Sequence, residues 1–167
     1  MIETDLAAAV LRLALGITMI AHGWNHAFGG GRLSGTASWF ESIGIRPGRL
    51  HALTATLTEL GAGVLLILGL LNALAAAAVI GTMTVALIAN HIRNGYFIFR
   101  PGEGYEYVLM IILVAGALAA LGAGRWSLDH LIGFDMNGVP GLAVAAGVGG
   151  CGGLLLLAAC WRPNHTG

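Results

Sequence analysis

The stretch LHALTATLTELGAGVLLILGLLNALAAAAVIGTMTVALIANHI, residues 50–92, decides the fold. It holds one carboxylate, Glu59, and no arginine or lysine, and it divides at Asn72 into two apolar runs, 50–71 and 73–92. As a helix, each run is long enough to cross the roughly 30 Å hydrocarbon core of a bilayer. Almost nothing separates them, so they form a tight antiparallel hairpin. Three further runs of the same kind lie at 6–27, 107–123 and 140–161. Across all 167 residues, 57% are hydrophobic and 10% charged, where a soluble domain carries roughly a quarter charged. Too few polar side chains remain to cover a water-facing surface. The expectation is an all-α polytopic membrane protein with five spans.

Eight basic residues, all arginine, cancel eight acidic ones. With no basic patch to neutralise phosphates, nucleic acid is excluded as a partner. Cys151 and Cys160 stand nine residues apart in one apolar run, about 13 Å along a helix, too far for a disulfide. No CxxC motif occurs, which excludes thiol exchange through the chain's own cysteines. The acidic flank of the first run, Glu3 and Asp5, marks a span rather than a secretory signal. Arg12, one turn inside it, is expected to snorkel to the N-terminal interface. Leu33, Ala37, Phe40 and Ile43 recur at helical spacing. They predict a short interfacial helix near 34–44, capped by Ser34 or Thr36 and anchored by Trp39 and Phe40. Residues 93–106, RNGYFIFRPGEGYE, belong at a membrane surface or folded over the bundle as a lid.

Five alternating spans place Arg12 and Arg125 on one face, and Arg32, Arg46, Arg49, Arg93, Arg100 and Arg162 on the other. The positive-inside rule makes the second face cytoplasmic and the N-terminus external. Ionisable residues inside spans are costly, and here they gather at this same arginine-rich end. Span one ends in His22, Asn25 and His26, whose spacing of three and four suggests one helix face. Span two starts beside His51 and carries Glu59 about 13 Å deeper. Span three ends at Asn90 and His91, and span four opens with Tyr105, Glu106 and Tyr107. One polar pocket opening to one side is expected, with Glu59, His22 and His91 as candidate proton carriers and His22, Asn25, His26, Asn90, His91, Tyr105, Glu106 and Tyr107 as its lining.

Most of these residues also have a plainer reading. His22 and His26 can bond backbone carbonyls, Asn90 and His91 suit a helix C-terminus, Glu106 favours a helix start, and Tyr105 and Tyr107 suit an interface. Glu59 has no such excuse. Buried deep in an apolar span, a carboxylate needs a partner. No HExxH or CxxCH motif is present, so no metal site is assigned. The last span, 140–161, is rich in glycine, with Gly149 and Gly153 at GxxxG spacing. It reads as a surface for packing or oligomerisation rather than as part of the pocket.

The runs LRLALGITMIAHGWNHAFGG, TELGAGVLLILGLL, NHIRNGYFIFRPGEGYEYVLMI and GAGRWSLDHL resemble the DoxX family of small bacterial membrane proteins over roughly residues 11–131. The resemblance implies a four-helix transmembrane bundle, residues 1–139, to which a Gly-rich helix and tail, 140–167, are added. It implies functional weight for His22–Gly23, Glu59, Asn90–His91, Asn94–Gly95, Gly104 to Tyr107, and Ser127 with Asp129. Where many members carry lysine, this chain has His26, a titratable group in place of a permanent cation. It further implies a location in the bacterial cytoplasmic membrane and a quinone-linked role in thiosulfate or thiol oxidation. No flavin, haem or iron–sulfur motif accompanies it, so the electrons would come from a partner subunit or directly from the reductant. The alternative is a non-enzymatic subunit that binds an amphipathic amine, lipid or sterol-like molecule, with Glu59 as counter-ion and the fifth span as the dock to a larger complex.

Overall fold

A computed structural model describes residues 2–163. Within them the chain forms α1 (Ile2–Phe28), α2 (Arg32–Ser42), α3 (Gly48–Leu68), α4 (Asn72–Ala86), α5 (Glu106–Leu121), α6 (Leu128–Leu131) and α7 (Gly138–Cys160). A π-helical turn, Leu87–His91, and a 3-10 turn, Ile92–Asn94, extend α4. Among the described residues the one β feature is an isolated antiparallel bridge between Ile45 and Trp161. Four helices are long and apolar enough to cross a membrane: α1, α3, α4 with its extension, and α7. The fourth expected span is α5, which is shorter at 16 residues, about 24 Å of helix.

α4 stands at the centre, packed against α3, α5 and α7. Its Ala75, Ala76, Ala77 and Val79 are buried on several faces, because small side chains let neighbouring backbones approach from more than one direction. Gly149 and Gly153 of α7 complete the closest approach. A Cβ at Gly149 would strike the Ala77 carbonyl and Ile80, and one at Gly153 would stand 2.8 Å from the Gly81 carbonyl. The GxxxG pair is thus spent inside the protein, on α4.

Two sets of polar ties define the ends. At the hairpin end, Gly69 (φ +64) and Leu71 (φ +51) turn the chain between α3 and α4. Asp129 accepts from the Leu71 and Asn72 amides at 2.7 and 2.8 Å, and so caps α4. Asp5 pairs with Arg125 at 2.7 Å. Arg12 does not snorkel outward; it is 3% exposed and donates to the Trp126 and Ile67 carbonyls under the closed 122–137 loop. At the opposite end the Arg46 amide donates to the Cys160 carbonyl, the Arg162 amide to the Gly44 carbonyl, and the Trp161 indole to the Ile43 carbonyl. The tail after α7 is therefore stitched to the loop between α2 and α3.

Candidate functional site at the arginine-rich end

A cavity of about 460 Å³ lies over α4, between α3 and α7. α4 and its extension line it from Leu74 to His91, about 25 Å of helix. α3 and α7 make at most marginal contact with each other, so the cavity is a groove with a long open side. Thr54 and Thr58 on α3, and Val148 and Gly152 on α7, line it and are exposed. Its arginine-rich end is roofed by Phe40, Ile43 and Ile45, with Trp161 packed against the same cluster.

His26 and Glu59 meet inside this groove. The His26 Nδ1 and Glu59 Oε2 atoms stand 3.0 Å apart, with Glu59 2% exposed. The contact is in ion-pair range, but neither atom is aligned for a hydrogen bond, so both keep unused bonding capacity. Phe40 lies edge-on to the His26 ring at 6.0 Å, which makes it a wall of the site and not the headgroup anchor expected from its position. α2 exists as predicted, over Arg32–Ser42, but Ser34 and Thr36 do not cap it. Gly31 is the N-cap, while Thr36 donates to the His26 carbonyl at 3.0 Å and so ties α2 to the end of α1.

His22 also lines the groove. Its Nδ1 donates to the Thr18 carbonyl at 2.9 Å, which leaves Nε2 as the acceptor nitrogen of the neutral ring. His91 is fully engaged. Nδ1 donates to the Glu103 carbonyl at 2.9 Å, and Nε2 takes the Tyr107 hydroxyl at 2.9 Å and the Asn90 amide at 3.2 Å. Asn90, His91 and Tyr107 all border the groove, and the same bonds pin the 95–105 loop over its end. Asn94 reinforces that loop by donating to the Gly102 and Glu103 carbonyls. Gly104 is buried against the carbonyls of Gly95, Tyr96 and Phe97, where no Cβ fits.

Three expected lining residues lie elsewhere. Asn25 is exposed on the outer side of α1, beside Trp24 and Phe28. One residue before His26 is a 100° turn of the helix, enough to rotate it out of the site. Tyr105 packs on Tyr96 at 5.5 Å, outside the groove. Glu106 accepts from the Ile98 amide at 3.2 Å and serves the start of α5. Conversely, His51 enters the site. It is 8% exposed, lines the groove, and its Nε2 has no hydrogen-bond partner. The spacing His51, Ala55, Glu59 at i, i+4, i+8 was the available signal, since it lays all three along one side of α3. The expectation that the last helix stands apart from the pocket is also overturned: Val148, Gly149, Gly152 and Gly153 form one wall. An apolar helix without ionisable groups can still be half of a binding groove.

Among the described residues no three His, Cys, Asp or Glu side chains gather as a metal-binding group. The arrangement can hold a proton on either His26 or Glu59, offer the free nitrogens of His22 and His51 to a polar ligand atom, and hold an apolar body along α4. No curated protein and no solved structure matches the chain. The DoxX family model matches residues 7–92, just over half of the chain, running from the first turns of α1 through α4 and its π turn and including His22, His26, His51, Glu59, Asn90 and His91. With four apolar helices of membrane-crossing length, this multi-pass membrane protein belongs to the DoxX family.

Proposed function

We propose that this protein is the quinone-handling subunit of a membrane oxidoreductase, set in the bacterial cytoplasmic membrane with five crossings and its arginine-rich end inside. The observation that carries the reading is the pair of buried Glu59 with partly buried His26 at the polar part of a groove that is open along its side. A quinone head has two carbonyl oxygens on a flat ring, and it suits a narrow slot bearing a few convergent polar groups. The orphaned Nε2 of His51 and the unengaged Nε2 of His22 fit that chemistry, because a histidine nitrogen donates to a carbonyl when protonated and accepts from a hydroxyl when not.

When bound, a quinone supplies the acceptor for two electrons and two protons. The chain's part is to bind and orient the ring, exclude water beneath Phe40 and Ile45, and hold a proton at His26 Nδ1 or Glu59 Oε2. Two thiols yield a disulfide with two electrons and two protons; two thiosulfates yield tetrathionate with two electrons, the protons then coming from solvent. Either balances the conversion of quinone to quinol. The ends of α5 support the reading that it too crosses: it leaves the 95–105 loop beside His91 and arrives at the 122–137 loop beside Asp5. The outward face of α7, with Leu154 and Leu155 exposed, is left for lipid or a second subunit.

The test is quinone titration into the purified protein in nanodiscs, followed by quinone-dependent oxidation of thiosulfate or a dithiol. Saturable binding with turnover is expected. Binding without turnover, alone or with co-purified partners, would make the protein a non-enzymatic ligand-binding subunit.

A further inference from the structure

The open side of the groove has a gatepost. Gly152 lines the cavity, is exposed, and a Cβ added there would meet no atom within 4 Å. Its neighbours on the same helix behave otherwise: Gly149 and Gly153 are buried, and a Cβ at either collides with α4. Packing therefore explains two of the three glycines that form this wall and leaves Gly152 without a structural duty. Across the gap stand Thr54 and Thr58 of α3, also exposed, and none of these positions carries a bulky side chain. The arginine-rich end is shut by Phe40 and Ile45, which are 8% and 2% exposed, and by the stitched tail after α7. The groove thus opens at bilayer depth and is closed toward the arginine-rich face. Inside it waits His51, buried and with no hydrogen-bond partner at Nε2, beside the Glu59 carboxylate that faces His26, so the small-residue opening leads to a site with unmet polar capacity.

Resting on the quinone reading above, the geometry points to a lateral portal between α3 and α7 through which a long-tailed quinone enters from the membrane, its isoprenoid tail lying across Gly152. Gly152 is then the specificity-determining residue for tail-bearing ligands, because any larger side chain occupies the volume the tail needs. The head is held among the histidines and Glu59, while the tail crosses apolar surface and leaves into lipid. That division suits a molecule of polar head and long apolar body.

The experiment compares a quinone carrying a long isoprenoid tail with the same ring lacking it, titrated into the full-length protein in nanodiscs. Wild type should hold the tailed form more tightly. Gly152→Phe should weaken the tailed form about tenfold or more and the tailless form far less; equal weakening of both would overturn the portal. Gly150→Phe, on the same helix, open to space but outside the groove lining, should change neither. If wild type binds both forms equally, or Gly152→Phe affects neither, the portal is overturned while quinone binding stands. If wild type binds neither, both readings fall. A tailed quinone bearing a photoactivatable group on its tail provides a second measurement independent of any variant. Labelling of α7 around residues 148–156 or α3 around 54–58 is expected, and labelling confined to α1 or α5 would overturn the portal.

Discussion

At the residue scale the site turns on how a carboxylate survives in an apolar span. Glu59 is held by His26, whose Nδ1 stands 3.0 Å from Oε2. Removing one member of a buried pair costs most when the other is left charged and enclosed, about 3–5 kcal/mol; His26 is only partly buried, so the cost of losing its partner is smaller. Glu59→Gln should therefore keep the fold, with a melting temperature in detergent close to wild type, yet bind quinone about tenfold more weakly. Wild-type binding in that variant would reduce Glu59 to a hydrogen-bonding post. A second residue-scale prediction concerns Asp129, whose two oxygens satisfy two buried amides at the start of α4. Asp129→Ala should cost about 2–4 kcal/mol of stability in denaturant. Quinone affinity of the surviving folded fraction should be untouched, since Asp129 sits at the end of the bundle away from the site.

At the scale of elements, the pairing of α4 with α7 is a contact between backbones, made possible by alanine on one helix and glycine on the other. Gly149→Leu drives a side chain into the Ala77 carbonyl, a rigid backbone atom. It should destabilise by about 1–3 kcal/mol, as overpacking does. At Gly150, next in the chain, an added Cβ meets nothing within 4 Å, so Gly150→Leu should melt like wild type. Thermal unfolding of the two variants in one detergent checks the pair. The π turn at Leu87–His91 belongs to this scale as well. Its residues continue an apolar helical pattern without a break, so periodicity alone predicts plain helix. Tertiary contacts favour the extra residue: His91 finds two of its three partners, Glu103 and Tyr107, on the segment that follows. π turns are often found where a functional side chain is re-aimed.

For the whole molecule, the polar ties separate two ends. The N-terminus, the hairpin and the 122–137 loop share one, while α2, the 95–105 loop and the residues after α7 share the other. The second end holds six of the eight arginines. A reporter fused after Gly167 should accordingly read as cytoplasmic and one before Met1 as external. The reverse pattern would show that the arginines serve binding rather than topology.

Composition and run length alone determined that the chain is helical and lives in a bilayer, because apolar runs of span length have few other stable fates. They also indicated at which end the polar side chains gather, since alternating helices bring corresponding ends to one face. On that ground Glu59, His22, His26 and His91 could be expected together, and all four line the one groove, whereas Tyr105 and Glu106 at the same end do not. Rotation about a helix axis was not legible: Asn25 and His26 differ by one position and face different surroundings. Nor was lateral packing. Which apolar helix lies beside which is written in shape rather than polarity, so only the tertiary structure revealed that α7 walls the groove, that Arg12 is enclosed, and that α3 and α7 stand apart. Hydrophobic burial is non-directional; it assigned the residues to the membrane, and the fit of small side chains against backbone chose their neighbours.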